Sequence, residues 1–184
     1  HDEDWIAKVA APMLAKAAPA TVWPCNLATS GGGCMVIRAS TRRGSALAHY
    51  HAMLGERLPI LRSSLGRAYL AAIAATDPAR LQAVLGELAR RAAELKIDTD
   101  DLKQVHEVIA QTHARGHAVN SDIADARFSS VGVAVLCGQQ VLGAVNLVFT
   151  KQMPDAPSID QRYIERLKAL ALDIGAGAKS WVQD

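Results

Sequence analysis

The stretch VGVAVLCGQQVLGAVNLVF, residues 131–149, does most to decide the fold. Its two halves are rich in the β-branched and apolar residues that favour strands, and Gly138, Gln139 and Gln140 separate them as the turn of a hairpin would. Because a hairpin joins antiparallel neighbours, the stretch predicts an antiparallel sheet. Gln139, Gln140 and Asn146 interrupt it before it reaches the ~20 apolar residues that a membrane-spanning helix needs, so we expect no membrane span.

A second hairpin is predicted nearer the N-terminus. Residues 21–29 and 34–41 are rich in strand-forming side chains, and the glycines at 31–33 supply a permissive turn between them. A short strand is expected at residues 117–120, whereas residues 42–58 show no clear period and are interpreted as loop and strand.

Capping residues and apolar stripes predict five helices. The first carries its apolar residues on one face and is kinked in the middle by Pro12. The other four start at polar or proline signals, which are Ser63 or Ser64, Asp77 with Pro78, Asp98 with Asp100 and Asp101, and Ser158. Gly116 is expected to end the fourth helix. Helices packed against an antiparallel sheet define an α+β architecture.

Composition limits the class of protein further. The chain has 184 residues, 50% of them hydrophobic, with a formal net charge of +2, which excludes disorder and predicts one domain over residues 1–184. No basic segment is dense enough to bind nucleic acid alone. The three cysteines are widely spaced and form no CxxC pair, which favours a reducing compartment, the cytoplasm.

The histidines and carboxylates predict neither a metal site nor catalysis. His113 and His117 have the spacing of two helical ligands, but Gly116 between them is expected to turn their rings apart. The glycines at 31–33 lack the Lys-Ser/Thr of a phosphate loop, and no nucleophile motif is found. We therefore expect no catalytic residue, no metal and no cofactor.

Small polar residues stand instead where an apolar surface would be expected. Asn146 interrupts an apolar strand, Ser129 and Ser130 introduce another, and Ser63 with Ser64 opens a helix. A buried polar side chain costs free energy unless it is paired, so such residues either bond to each other or await a ligand. Mostly apolar pockets with a few convergent polar groups are typical of ligand sites.

Four runs in fixed order resemble the effector-binding domain of the isocitrate lyase regulator (IclR) family. They are PILRSSLGRAYLA at 59–71, RGHAVN at 115–120, SSVGVAVL at 129–136 and VLGAVNLV at 141–148. Within that family the chain is most similar to regulators of hydroxyphenylpropionate catabolism, through WPCNLAT at 23–29, MVIR at 35–38 and HAMLGERLP at 51–59. It departs from those relatives at Ala39, where they tend to have an acid, and at Gly44, where they tend to have a bulky aromatic residue.

The resemblance implies a GAF-like fold whose sheet closes over a small carboxylate-bearing effector. It also implies an N-terminal winged helix-turn-helix domain that is absent from this chain, so that residues 1–20 are the end of a linker helix and the first helix of the domain. DNA would be bound only through that absent domain.

The resemblance also implies a set of ligand-binding residues. The helix start and the strands would contribute Ser64, Leu65, Asn120, Ser130, Asn146 and Val148, and an apolar lid would be formed by Leu47, Tyr50 and Leu58. The amides of Ser64 and Leu65 suit a carboxylate, because a helix N-terminus favours an anion. Arg38 is assigned to the ligand as well, although its strand position also allows solvent or a subunit contact.

These expectations converge on a sensor rather than an enzyme. The leading hypothesis is a domain that binds a small aromatic carboxylate, phenylpropionate-like or benzoate-like, and controls an absent DNA-binding domain. The alternatives are a sensor of a short aliphatic acid and an oligomerisation module with a vestigial pocket. Self-association as a dimer or tetramer is expected in either case, since winged-helix regulators bind two-fold sites.

Overall fold

Six antiparallel strands form one sheet in the computed structural model, which describes residues 3–17, 23–41, 54–121, 128–150 and 161–182. The strands are β1 Cys25–Gly31, β2 Cys34–Ser40, β3 Arg57–Pro59, β4 Ala118–Val119, β5 Phe128–Cys137 and β6 Gln140–Thr150. Their spatial order is β3-β2-β1-β6-β5-β4. The predicted hairpins β1–β2 and β5–β6 are confirmed, and they join at the centre of the sheet because β1 pairs with β6.

The helices within these ranges are α1 Ala11–Ala17, α2 Ser64–Thr76, α3 Pro78–Arg90, α4 Thr99–Arg115 and α5 Gln161–Gly177, followed by a 3-10 turn at Ala178–Ser180. The predicted caps Ser63, Asp77 and Asp98 are confirmed, because each side chain accepts a backbone hydrogen bond from the first turn of its helix. Gly116 ends α4 with a φ of 85°. Ser158 lies outside the described residues.

The first helix is irregular just before Pro12. Residues Ile6–Ala10 form a π-helical turn, and the Ala11 amide bonds to the carbonyl of Ile6, five residues back. Pro12 has no N–H to continue the usual ladder, which explains why the wider turn is found here. The kink expected at Pro12 therefore takes the form of a π turn. The residues predicted to share a face are Trp5, Ile6, Val9, Met13 and Leu14, and all of them are buried except Met13, which is half-buried.

Helices cover both faces of the sheet. On one side, the α2 face, residues such as Ala28, Met35 and Ile37 pack with Leu65 of α2, and α4 lies behind that helix. On the other, the α5 face, Leu27, Val145 and Leu147 pack with α5 and the first helix. Because side chains alternate along a strand, neighbours in sequence belong to different cores.

A β-bulge in β2 changes this alternation once. Leu27 pairs with Ala39, and the next residue, Ala28, pairs with Ile37, so that Arg38 is the extra residue. Ile37 therefore packs on the α2 face and Ala39 on the α5 face. The expected α+β architecture is confirmed by these layers. No helix among the described residues is long and apolar enough to cross a membrane.

Candidate functional site

The start of α2 presents backbone amides that the helix itself does not use. Ser63 Oγ accepts the amide of Gly66 at 3.0 Å, and the first intrahelical bond runs from Arg67 N–H to the Ser63 carbonyl. The amides of Ser64 and Leu65 thus have no acceptor within the helix. Both residues are buried, so these donors are shielded from bulk water, and the helix dipole favours a negative charge beside them.

Arg67 fastens the turn that precedes α2. Its Nε donates to the Leu61 carbonyl at 2.9 Å, and its Nη1 donates to the Val119 carbonyl at 3.2 Å. Burial lowers the pKa of this guanidinium. Through these two hydrogen bonds to main-chain carbonyls, Arg67 holds the helix start against β4.

Gly132 allows α2 to approach β5 very closely. A Cβ at this position would lie 2.5 Å from the Ser64 carbonyl oxygen and 2.8 Å from its carbon, far inside normal contact. The main chain of the first turn of α2 therefore rests directly on the main chain of β5. This contact fixes where Ser64 stands relative to the strand.

Four buried side chains, Asn26, Ser64, Ser130 and Asn146, form a polar cluster on the α2 face of the sheet. Ser64 Oγ and Ser130 Oγ are 2.6 Å apart, so one hydroxyl donates to the other. Three of the four, Ser64, Ser130 and Asn146, were predicted from the sequence. Ser64 bonds to Ser130, and Asn146 lies opposite Gly132, where α2 meets β5.

Asn26 is the member that the sequence prediction missed. It is fully buried, it stands opposite Asn146 on the neighbouring strand, and its Nδ2 donates to Asn146 Oδ1 at 3.0 Å. The signal was present in the sequence, because Asn26 interrupts the apolar run of β1 as Asn146 interrupts that of β6. Only the register of β1 with β6 shows that the two amides meet.

Asn120 lies beside the polar cluster with its side chain already bonded. Its Oδ1 accepts from the Ser130 amide at 2.8 Å and from Ser129 Oγ at 3.2 Å, while its Nδ2 donates to the Ser121 carbonyl at 2.9 Å. The side chain extends the β4–β5 ladder beyond the last strand pair. Asn120 thus positions Ser130, and a ligand would meet it through the second N–H of its Nδ2, because its oxygen already accepts two hydrogen bonds.

The predicted apolar contacts lie in the walls around the cluster. Leu65 is fully buried in the core of the α2 face, and Val148 packs with Phe128. Leu58 is half-buried at the sheet edge and packs against the same core as Leu65. Leu47 and Tyr50, the other predicted lid residues, lie outside the described residues.

The structure does not bring Arg38 to the polar cluster. Arg38 forms an ion pair with Glu3 at 2.5 Å and donates to Thr29 Oγ1 at 3.3 Å. It borders a cavity shared with Trp5 and Ile6, which belong to the core of the α5 face. The hydrogen bond and charge of Arg38 lower the pKa of the Glu3 carboxyl. The extra residue of the bulge therefore serves a contact with the first helix.

Two cavities formed by the described residues lie away from the cluster. The larger, a groove of about 550 Å³, runs between α1 and α5 and is lined by Met13, Leu147 and Tyr163, among others. The smaller, about 200 Å³, lies between α2 and α4 and is lined by His113 and His117.

The two histidines of the smaller cavity differ in their contacts, and His117 Nδ1 is buried without a hydrogen-bond partner among the described residues. His113 Nε2 lies 2.7 Å from the Ala71 carbonyl oxygen. Burial, and then the charges of Arg115 and Lys168, lower the pKa of His117. Among the described residues, no three metal-ligating side chains are grouped to hold an ion.

Comparison with known proteins identifies the fold. The family model for the C-terminal domain of the bacterial transcriptional regulator IclR matches residues 2–176. A transcriptional regulator from Rhodococcus sp. RHA1 is 21% identical, with a TM-score of 0.74, over 94% of this chain and 69% of its own. The C-terminal domain of the E. coli regulator KdgR is 17% identical, with a TM-score of 0.71, over 96% and 99% of the two chains.

The Thermotoga maritima IclR is 15% identical, with a TM-score of 0.71, over 97% of this chain and 69% of its own. These likenesses confirm the GAF-like arrangement of helices around a curled antiparallel sheet. The family and these structural neighbours are transcriptional regulators rather than enzymes. With its match to the family model over almost its full length, the chain belongs to the family of C-terminal domains of bacterial IclR transcriptional regulators.

Proposed function

We propose that this domain binds a small aromatic carboxylic acid on the α2 face of its sheet and thereby controls DNA binding by a winged-helix domain that precedes it. The observation that carries the proposal is the polar cluster beside the two buried amides at the start of α2. A carboxylate placed there would accept hydrogen bonds from the Ser64 and Leu65 amides and from the Ser130 hydroxyl.

The chemistry of the cluster favours an anion bound by neutral donors. Arg67 at the start of α2 donates to main-chain carbonyls, and Arg38 pairs with Glu3 on the other side of the sheet. Buried amides at a helix N-terminus stabilise a negative charge without the desolvation cost of a second buried ion.

The walls favour an apolar body attached to the carboxylate. Leu65, Val148 and Phe128 surround the cluster and are buried. An aromatic ring would gain a large hydrophobic contribution from such neighbours. Leu47 and Tyr50 remain the predicted lid over this surface, and Leu58 would belong to its edge.

The response to the acid would cross the sheet. The first helix packs on the opposite face against β2 and α5. Leu27 of β1 and Leu147 of β6 belong to the core of that face. A shift of β1 and β6 on binding would therefore reach the first helix through these two leucines. A DNA-binding domain attached before that helix would sense its position.

Isothermal titration calorimetry tests the effector class. The chain would be titrated with phenylpropionates, benzoates and short aliphatic acids. We expect saturable binding of at least one aromatic acid and weaker binding of the aliphatic ones. Binding only of aliphatic acids would replace the aromatic effector by the alternative, and binding of none of the acids would contradict the proposed function.

Alanine variants test the position of the site. Ser64→Ala and Asn146→Ala remove side chains of the cluster, and Asn120→Ala removes the support of Ser130, so each should weaken binding by on the order of 1–3 kcal/mol. Thr76→Val is the matched control, because it removes a hydroxyl from the far end of α2, where Thr76 bonds to Ala72. Unchanged affinity in all three alanine variants would refute this site.

The alternative of an oligomerisation module rests on a different surface. The alanines of α2 that suggest close subunit packing are mostly used within the chain, since Ala68 and Ala71 are buried. Leu172 on α5, by contrast, is 73% exposed. Sedimentation velocity over a range of concentrations would test self-association, and Leu172→Lys should weaken any dimer or tetramer formed through α5.

A further inference from the structure

The hydrogen bonds between Asn26 and Asn146 determine which way both side-chain amides point. The backbone N–H of Asn26 lies 3.2 Å from the terminal atom of Asn146, and a backbone N–H can only donate, so this atom is Oδ1. The same oxygen lies 3.0 Å from a terminal atom of Asn26, which must therefore be Nδ2. The remaining terminal atom of Asn26 is its carbonyl oxygen.

That oxygen, Asn26 Oδ1, is buried and meets no hydrogen-bond partner among the described residues. An unpaired buried carbonyl is costly, and such groups normally hold a donor from elsewhere. On this face Asn26 lies between Asn146 of β6 and Ser40 of β2, and the Ser40 hydroxyl makes no hydrogen bond to this oxygen. Beyond Asn146 the row continues to Gly132, which has no side chain, and the next residue of β1 on this face, Ala28, is apolar.

The oxygen also stands apart from the proposed carboxylate site. Ser130 and Gly132 lie on β5, and β6 separates that strand from β1. Two strand spacings amount to about 10 Å. An acid held at the start of α2 and Ser130 would therefore reach Asn26 with its far end and not with the carbon next to its carboxylate.

We propose that Asn26 is a specificity-determining residue whose Oδ1 accepts a hydrogen bond from a hydroxyl or amino group at the end of the effector remote from its carboxylate. The inference rests on the proposed function, because it takes the carboxylate to lie at the start of α2. It narrows the effector class to acids that carry a distal hydrogen-bond donor, with the hydroxyphenyl acids as the simplest aromatic examples.

Matched pairs of acids test the inference by calorimetry on the unmodified chain. The pairs are 3-phenylpropionate with 3-(4-hydroxyphenyl)propionate or 3-(3-hydroxyphenyl)propionate, and benzoate with 4-hydroxybenzoate. We expect at least one hydroxylated acid to bind roughly tenfold more tightly than its parent. The methoxy analogue of that acid keeps the oxygen but lacks the donor, so it should lose the preference.

Two variants assign the preference to a residue. Asn26→Ala should reduce the hydroxyl preference to near unity, because the acceptor is gone. Ser130→Ala should weaken both members of a pair by the same factor and leave their ratio unchanged, because it acts at the carboxylate end. Thermal unfolding without ligand would show that each variant is folded, and the methoxy comparison uses no variant at all.

The outcomes separate the two proposals. If acids bind but the distal hydroxyl gives no advantage, or if the advantage persists in Asn26→Ala or in the methoxy analogue, the role of Asn26 is refuted while the proposed function stands. If no acid binds the unmodified chain, the proposed function fails and the role of Asn26 fails with it.

Discussion

The two faces of the sheet are built from the same strands but carry different chemistry. On the α5 face, Val145 and Leu147 of β6 pack among aliphatic side chains of α5 and the first helix. Asn146, which lies between them in sequence, points to the α2 face and bonds to Asn26. One strand thus contributes an apolar wall to one side and a polar group to the other.

This contrast indicates a division of roles between the faces. The α5 face gains its stability from burial of aliphatic surface, which is not directional and tolerates no polar group without cost. The α2 face keeps buried amides and hydroxyls that weaken the core unless they are all satisfied. We expect substitutions on the first face to act on stability, and substitutions on the second to act mainly on recognition.

The largest effect should come from Leu147→Ala on the α5 face. Leu147 is almost fully buried, and its truncation leaves a cavity, so the free energy of unfolding should fall by about 2–5 kcal/mol. Urea denaturation measures that loss. The folded variant should keep its affinity for acids, whereas Asn146→Ala, one residue away, should not. Equal losses of affinity in the two variants would break the distinction between the faces.

A smaller loss of stability, joined to a loss of binding, is expected for Gly132→Ala. The new methyl group would collide with the carbonyl of Ser64, so α2 must move away from β5 at a cost of about 1–3 kcal/mol. The amides of Ser64 and Leu65 would move with the helix and weaken acid binding.

Gly86→Ala on α3 is the matched control for Gly132→Ala. Its methyl group would meet only the flexible end of Arg90, at 3.3 Å, and alanine is the better helix former. It should leave acid binding unchanged and stability unchanged or slightly higher. A Gly132→Ala variant that behaved in the same way would show that the close approach of α2 to β5 is not needed.

The smallest effect should come from Arg38→Gln. The pKa of Glu3 is lowered from its ordinary value of 4.5 by Arg38, so the pair stabilises the fold above that pH and loses this contribution as the pH falls through the lowered pKa. Thermal melts should show a small deficit for the variant near neutral pH that disappears in acid and in high salt.

Acid binding by Arg38→Gln checks the placement of this residue. Because Arg38 lies with Trp5 and Ile6, away from the polar cluster, its affinity for the acids should equal that of the unmodified chain at neutral pH. A marked loss of affinity, measured by calorimetry, would place Arg38 in the ligand site after all and would contradict the separation of the faces.

Local sequence signals were sufficient for most of the fold. The caps Ser63, Asp77 and Asp98 predict the starts of their helices because each side chain bonds to a backbone amide two or three residues further along the chain. The glycine turns predict both hairpins because a turn also involves only neighbouring residues. The pairing of β1 with β6 was not predicted, since it joins residues about 120 positions apart in the chain, such as Asn26 and Asn146.

The candidate site could be predicted only in part, because its contacts also depend on the pairing of strands that are far apart in the sequence. Ser130 and Asn146 stand out as polar residues in apolar strands, but what they bond to depends on register. Arg38 shows the limit most clearly, because the bulge beside it alters the alternation of β2, and a bulge leaves no mark in a simple two-residue pattern. Its pairing with Glu3 could not be read from spacing.

The bare α-carbon of Gly132 has a consequence for how a domain built in this way can diversify. Since the helix meets the strand there through main-chain atoms, which every residue possesses, the separation of the two elements does not depend on the side chains around them. A lineage that retains this glycine can exchange the neighbouring hydroxyls and amides one at a time, so that its chemical preference drifts by single mutations while the scaffold is inherited unchanged.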